Sequence, residues 1–207
     1  MKGGTKIKSY LRYFLRLFSL FLAILIIQFS ELRAHDILKT NLVFLKAYYS
    51  LDEPRFLCVD IPGHKERVNI SRSLTVHTCK EGIWHQDELF DITAVSQGLL
   101  KMSEYDLCIE AISLKNNTEL FLKTCNQSKM QNWLYSNYRL ILKENMDKCL
   151  TIVNEPSRLT RGGRRLNSKH MARSLVIADC SEQAFTRQMW RFEAPQERTG
   201  AIMPFNK

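Results

Sequence analysis

Glycine and proline are scarce in this chain, eight and five among 207 residues, which excludes a collagenous or low-complexity protein. No apolar run reaches the roughly eighteen residues that a spanning helix normally needs, which excludes a polytopic membrane protein. None of the six cysteines forms a C-x-x-C pair, so zinc ribbons and thioredoxin-like redox chemistry have little support. The sequence has no H-E-x-x-H, no G-x-S-x-G and no phosphate-binding glycine loop, since Gly162-Gly163 lacks the rest of that motif. The expectation is therefore a protein that is not an enzyme and has no cofactor. One reservation concerns His64, His77 and His85, which fall near Asp60, Asp87 and Glu88 and leave a metal or acid–base site geometrically conceivable.

What is present is an ordinary globular composition, 45% apolar and 25% charged, in a length that suits one domain plus an appendage. A net charge of +9 suggests a nucleic-acid or anionic-surface binder, but its distribution argues otherwise. Residues 1–34 contribute +5, residues 157–173 contribute +6, and everything else sums to −2. Lys2, Lys6, Lys8, Arg12 and Arg16 precede an apolar run from Leu17 to Ile27 broken only by Ser19. This is the order of a secretory signal peptide. No good small-x-small site precedes Ser30 or Ala34, so 1–34 is expected to be a signal peptide or, uncleaved, an N-terminal membrane anchor. Either way the remainder leaves the cytosol. Residues 35–46 are expected to be a linker and 195–207 a tail.

All six cysteines lie beyond this segment, and an even count in an exported chain reads as three disulfides. Self-similarity suggests the pairing. Cys58, Cys108 and Cys149 each sit in a short alternating strand, and Cys79, Cys125 and Cys180 each end a second one. A third piece follows each time: Glu88-Leu89-Phe90-Asp91-Ile92, Gln131-Asn132-Trp133-Leu134-Tyr135 and Gln188-Met189-Trp190-Arg191-Phe192. In each, two large apolar residues stand at i and i+2, on one face of a strand. A unit of roughly 40 to 55 residues thus occurs three times between about Ala47 and Ala194. The economical pairing is Cys58–Cys79, Cys108–Cys125 and Cys149–Cys180. Each closure contributes on the order of 3 kcal/mol in the chain-entropy model.

Three units of the form C-x-[DE]…C…Q-x-W-x-[FY] resemble the ricin B-type lectin domain. The third unit carries the motif as Gln188-Met189-Trp190-Arg191-Phe192 and the second as Gln131-Asn132-Trp133-Leu134-Tyr135, whereas the first has Glu88 and Phe90 in place of glutamine and tryptophan. The resemblance implies an all-β chain, a β-trefoil over 47–194 with lobes at about 47–96, 97–137 and 138–194. Trp133, Tyr135, Trp190, Phe192, Phe90 and Ile92 are expected to share the core. Gln131 and Gln188 are expected to satisfy local backbone groups.

The resemblance also implies a glycan or glycoprotein partner, with galactose-type sugars the kind it suggests. A neutral sugar offers hydroxyls and an apolar ring face, so its site needs a polar grip and an aromatic plate. In the family's pattern the grip is an acid two places after the first cysteine. The plate stands just before the second cysteine, and a further polar group just before the glutamine. Lobe one supplies Asp60, His77 and Asp87, with Thr75 on the same face as His77 and with Glu88 following Asp87. It is the best candidate, although Asp60 capping a turn and a ligand-free His77 are the plain alternatives. Lobe two keeps Glu110 but has Lys123 as plate and Met130 before Gln131. Lobe three, with Thr151, Ala178 and Arg187, has neither grip nor plate.

Residues 157–173 carry Arg158, Arg161, Arg164, Arg165, Lys169 and Arg173 with no acid, and are expected to be a mobile loop. The loop is either simply solvated or a contact for a sulfated glycan, acidic phospholipid or acidic partner. It holds no aromatic for base stacking, so nucleic acid is disfavoured. The sequence thus points to a secreted, non-catalytic carbohydrate-binding module. The alternative is a protein–protein interaction or toxin-assembly subunit that kept the trefoil and lost sugar binding, docking through the basic loop and Trp84.

Overall fold

The structure, a computed structural model, describes residues 18–24, 41–63, 65–81 and 86–195. Trp84, His64 and His85 lie outside them, as do the C-terminal tail beyond 195 and most of the N-terminal segment. Residues 18–24 form a short helix, α1. Among the described residues no helix is long and apolar enough to cross a membrane.

From Leu42 onward the chain is built of short antiparallel strands. Lobe one contains β1 (Leu42–Ala47), β2 (Leu57–Asp60), β3 (Thr75–Thr78) and β4 (Leu89–Asp91), followed by a single helical turn, α2 (Ile92–Ser96). Lobe two contains β5 (Lys101–Met102), β6 (Leu107–Ala111), β7 (Thr118–Thr124) and β8 (Trp133–Ser136). Lobe three contains β9 (Arg139–Leu142), β10 (Lys148–Ile152), β12 (Met171–Asp179) and β13 (Trp190–Glu193), with β11 (Arg158–Leu159), α3 (Arg161–Arg165) and α4 (Phe185–Gln188) inserted. Four strands recur three times, the outer pairs joining neighbouring lobes and the inner pairs forming hairpins. Thus β1 pairs with both β4 and β13, closing the first lobe onto the last. The hairpins β2–β3, β6–β7 and β10–β12 meet where β12 pairs with β3 and β7. This is a β-trefoil, with Cys58–Cys79, Cys108–Cys125 and Cys149–Cys180 each bridging one hairpin.

Side-chain alternation explains the packing. In β7, Thr118, Leu120 and Leu122 point into the core while Glu119, Phe121 and Lys123 point outward, the period of two that a half-buried strand requires. Trp133, Trp190 and Phe90 are fully or almost fully buried at equivalent places in the three lobes. The indole N–H groups of Trp133 and Trp190 donate to the carbonyls of Ile109 and Leu150 at 3.3 and 3.0 Å. Ile92 and Phe192 pack on this core from its edge.

Three expectations are corrected. Tyr135 is not core: β8 ends one residue later in a tight turn, and the ring faces solvent. Residues 42–46, read as linker, are the first barrel strand, because five of the six β1 side chains are buried. The basic segment 157–173 is not an irregular loop. Thr160 caps α3 through a 2.8 Å bond from Gly163 N, and β11 pairs with β12. The guanidinium of Arg55 holds the carbonyls of Ser168 and Lys169 at 2.8 Å each. Glu53 in turn fixes Arg55 at 2.7 Å.

Candidate functional site

The site begins with one hydrogen-bond pattern repeated in three lobes. The glutamine of each Q-x-W motif closes a 3₁₀ or helical turn and faces the residues flanking the second cysteine. Gln131 Oε1 accepts from Asn126 N, and its Nε2 donates to Thr124 O and to Glu110 Oε2 at 2.9 Å each. Gln188 Oε1 accepts from Ser181 N, and its Nε2 donates to Asp179 O and Thr151 Oγ1. The glutamines thus serve the backbone, as expected, and each also grips the side chain two places after the first cysteine. In lobe one Glu88 Oε2 accepts from Lys80 N at 2.7 Å, matching that geometry. Its other oxygen has no proton to give when ionised, and among the described residues it makes no hydrogen bond.

Lys80 and His77 occupy the place of the missing donor. The Lys80 ammonium lies 2.6 Å from Asp60, 2.8 Å from Asp87 and 3.8 Å from Glu88 Oε1. His77 Nδ1 lies 2.8 Å from Thr78 O and 3.6 Å from Glu88 Oε1. The His77 ring also meets His170 edge-on at 5.1 Å. The expected residues Asp60, His77, Asp87 and Glu88 are therefore brought together, but in a closed cluster. Asp60 is 4% exposed and both Asp87 and Glu88 are 0% exposed. Thr75 stands opposite Asp60 in the β2–β3 register, and no hydrogen bond joins its hydroxyl to the cluster among the described residues.

The electrostatics follow from burial. Burial pushes the Glu88 carboxyl up to about 7, even against the His77 contact and the Lys80 charge. Burial likewise raises Asp60 despite Lys80 and His77. For Lys80 burial works against the charge, but Asp60, Glu88 and Asp87 outweigh it and hold the amine above its ordinary range. His77 is also raised, its burial overcome by Glu88 and Asp60. His170 is held down to about 4 by burial and by the neighbouring His77. Ligand atoms of Asp60, His77 and Glu88 lie within 4.8 Å of one another, a spacing that suits a metal ion. Lys80 already supplies a cation among them.

Lys80 is the residue that sequence reasoning missed. The signal was its position directly after Cys79, equivalent to Asn126 and Ser181, beside a glutamine-to-glutamate change. A second missed residue is Phe121. It stands directly opposite Glu110 in the β6–β7 register and lines a shallow hollow of about 450 Å³ with Ile70, Ile112 and Lys123. The Lys123 ammonium reaches over the Phe121 ring at 5.9 Å. Glu110 is only half-buried, held by Gln131 and by Ser128 Oγ at 3.4 Å. Lobe two therefore sets a half-buried acid directly opposite an aromatic side chain, two residues before the position where the family's pattern puts the plate.

Of the basic residues, Arg158, Arg161, Arg164, Arg165 and Lys169 are exposed. Arg173 does not join them. It is 5% exposed and donates to Val153 O at 2.5 Å and to Asp52 at 3.4 Å.

Known structures share this architecture. The C-terminal half of an earthworm R-type lectin, solved with GalNAc, superposes with a TM-score of 0.51 at 15% identity, covering 74% of this chain and 98% of that one. The β-trefoil lectin of the Vibrio vulnificus hemolysin/cytolysin, solved with N-acetyl-D-lactosamine, gives 0.50 at 14%, covering 77% and 98%. The agglutinin from Abrus precatorius gives 0.53 at 13%, covering 74% of this chain and 48% of that one. At these identities the likeness concerns the fold. No curated protein sequence matches the chain. A family model, the ricin-type beta-trefoil lectin domain, matches residues 50–164. That span is more than half of the sequence, and with the trefoil and its Q-x-W tryptophans it makes this protein a member of the ricin-type β-trefoil lectin domain family.

Proposed function

We propose that the protein is an exported carbohydrate-binding module without catalysis of its own, and that its sugar-facing acid is Glu110 in lobe two. The observation that carries this is the Glu110–Phe121 pair. Gln131 and Ser128 orient the carboxylate, and Phe121 offers an apolar plate beside an open hollow. Hydroxyl-gripping carboxylates and ring plates are the chemistry that a pyranose requires. Family membership supports glycan recognition in general. Export is supported by the basic-then-apolar N-terminus and by three disulfides, which persist in oxidising compartments.

The lobe-one residues Asp60, Thr75, His77, Asp87 and Glu88 contribute to sugar binding only if Lys80 swings away from Asp60 and Asp87. That closure favours a second function, a trefoil kept for protein–protein contact. A glycan array on the wild type, Glu110→Ala and Asp60→Asn decides among these. Binding lost with Glu110→Ala and kept with Asp60→Asn is the expected result. Binding lost only with Asp60→Asn moves the site to lobe one, and a wild type that binds no glycan supports the interaction subunit. Glu110→Ala leaves Gln131 its bonds to Thr124 O and Asn126 N, so the variant is expected to fold, which its thermal melting checks.

A further inference from the structure

A cluster of aromatic rings that no lobe site uses lies where the end of β1, the β8–β9 turn and α4 come together. Tyr48, Tyr135 and Tyr138 are 36, 38 and 49% exposed. Tyr48 meets Tyr138 at 5.0 Å and Tyr49 at 5.2 Å between ring centroids, and Tyr49 meets Phe185 at 5.8 Å. The Arg139 guanidinium lies 5.9 Å from the Phe185 ring and donates to Glu182 at 2.8 Å. Tyr135 is fixed by its hydroxyl, which donates to Trp190 O at 3.0 Å, and by Phe192 at 5.0 Å.

The backbone under Tyr138 is the informative part. Asn137 and Tyr138 form the two-residue turn between β8 and β9, with φ of 49° and 61°. Both central residues are left-handed, a conformation in which the second position favours glycine. A bulky side chain there is an outlier that the surroundings must hold in place. The trefoil's internal repetition shows what the position does for the fold. Tyr138 O accepts from Trp190 N at 2.7 Å, and in the preceding lobe Gly98 O accepts from Trp133 N at 2.7 Å, also at positive φ, 87°. Glycine performs the structural duty in lobe two. In lobe three the same duty is done with a strained backbone that carries an exposed ring.

We propose that Tyr138, Tyr48 and Tyr135, with the Arg139–Glu182 pair at their rim, form a second carbohydrate-contact site that takes the apolar face of a pyranose ring. The site is distinct from Glu110 but rests on the same reading of the protein as a glycan binder. Tyr48 and Tyr138 are tilted by 59° to one another, with Tyr135 close enough to feel both, so the rings form a stepped surface with an exposed face for a ring to lie on. Phenol hydroxyls, the Asn137 amide, Arg139 and Glu182 place donors and acceptors around it, as a ring bearing equatorial hydroxyls needs. The three exposed rings offer on the order of 250 Å², well short of the roughly 800 Å² per partner of a stable protein complex. Size therefore favours a sugar over a protein.

The test uses Tyr138→Gly, Tyr48→Ser and Glu110→Ala in the full chain. The readouts are a printed array of galactose-, N-acetylgalactosamine- and N-acetylglucosamine-terminated oligosaccharides, thermal melting, and sedimentation velocity. Tyr138→Gly is expected to melt higher than the wild type while losing at least tenfold in affinity for some of the glycans, and Tyr48→Ser to lose the same glycans. The inference is overturned if both tyrosine variants keep every glycan, whether or not Glu110→Ala abolishes binding. A wild type that binds no glycan overturns it together with the Glu110 site. Binding that survives Glu110→Ala but not Tyr138→Gly supports it and removes the lobe-two site. A wild-type dimer dissolved by the tyrosine variants, with glycan binding unchanged, assigns the patch to self-association and also overturns it.

Discussion

Replacing Glu88 with glutamine restores the residue that the other two lobes carry, and the structure sets the size and the pH dependence of the effect. The Oε2 side already accepts from Lys80 N as Gln131 and Gln188 accept from their neighbours. On the other side an amide has N–H to donate, as Gln131 and Gln188 do in their lobes, where ionised Glu88 brings only charge. The Glu88 carboxyl rises from an ordinary 4.5 to about 7 on folding. The folded state therefore binds the proton more tightly than the unfolded one, and stability falls as pH rises between 4.5 and 7. Integrated, the penalty of ionising Glu88 is about 1 kcal/mol at pH 5 and about 3 kcal/mol at pH 8.

Glu88→Gln removes that penalty. In a domain of this size the gain corresponds to a few degrees in Tm at pH 5 and about 5–10 °C at pH 8. Asp60 and His77 are also raised, so their contributions weaken with rising pH in the same direction. His170, held near 4, works oppositely: its stabilising neutrality is lost as pH falls from 6.5 toward 4. His170 is present in both proteins, so the difference between their melting curves, taken with disulfides intact, reports Glu88 together with the pull that Glu88 exerts on His77. A difference in Tm that is the same at pH 5 and pH 8 refutes the reasoning. So does a glutamine variant less stable than wild type at pH 8, which would mean that Lys80 and His77 favour the ionised carboxylate.

Two further substitutions probe the same region and the basic segment. Lys80→Met leaves Asp60 and Asp87 buried without their ammonium, and urea denaturation at pH 7 should show a loss of about 3–5 kcal/mol, shrinking toward pH 5 as the Asp60 and Glu88 carboxyls, both raised by burial, take up protons. An equal loss at both pH values would show that Lys80 contributes packing rather than charge. Arg173→Ala removes a buried guanidinium that holds the Val153 carbonyl and the exposed Asp52, at a cost of about 2 kcal/mol. Exchanging exposed Arg164 or Arg165 for alanine should stay within about 0.5 kcal/mol, and denaturation curves that rank these the other way would contradict the ordered segment.

The fold was legible because its information is repeated. Three cysteine pairs, three alternating hairpins and three terminal aromatics constrain one another, and chance similarity does not reproduce such agreement. The misplaced parts lack that redundancy. Leu42–Ala47 pairs along most of its length with β4 and β13, 40 and more residues away, and meets the nearby β2 only at Lys46 and Cys58, while its near-continuous burial leaves no alternation to read. The basic segment looked mobile because glycine and charge dominate its composition. Its order comes from Arg55, more than a hundred residues earlier, reaching its carbonyls. Tyr135 obeyed the i, i+2 rule only up to the turn that ends its strand.

The candidate site was legible as a set of residues but not as a state. Asp60, His77, Asp87 and Glu88 do converge, because the pseudo-symmetry that located them also places them in space. Whether converging carboxylates face a ligand or one another depends on a single further side chain, and pattern matching does not weigh a residue that the pattern leaves unspecified. Lys80 is such a residue. Its backbone N–H has a fixed partner in every lobe, while its side chain is free to vary, as Asn126 and Ser181 show. A lysine there beside a glutamate in place of glutamine offsets part of the charge around it: Glu88 without Lys80 leaves three carboxylates together, whereas Lys80 beside a glutamine keeps its close partners Asp60 and Asp87. In this structure the lobe-one carboxylates therefore face one another and Lys80. The same symmetry makes the opposite case for Tyr138, where the fold's requirement is met by glycine one lobe earlier, so that the tyrosine ring calls for a reason outside the fold.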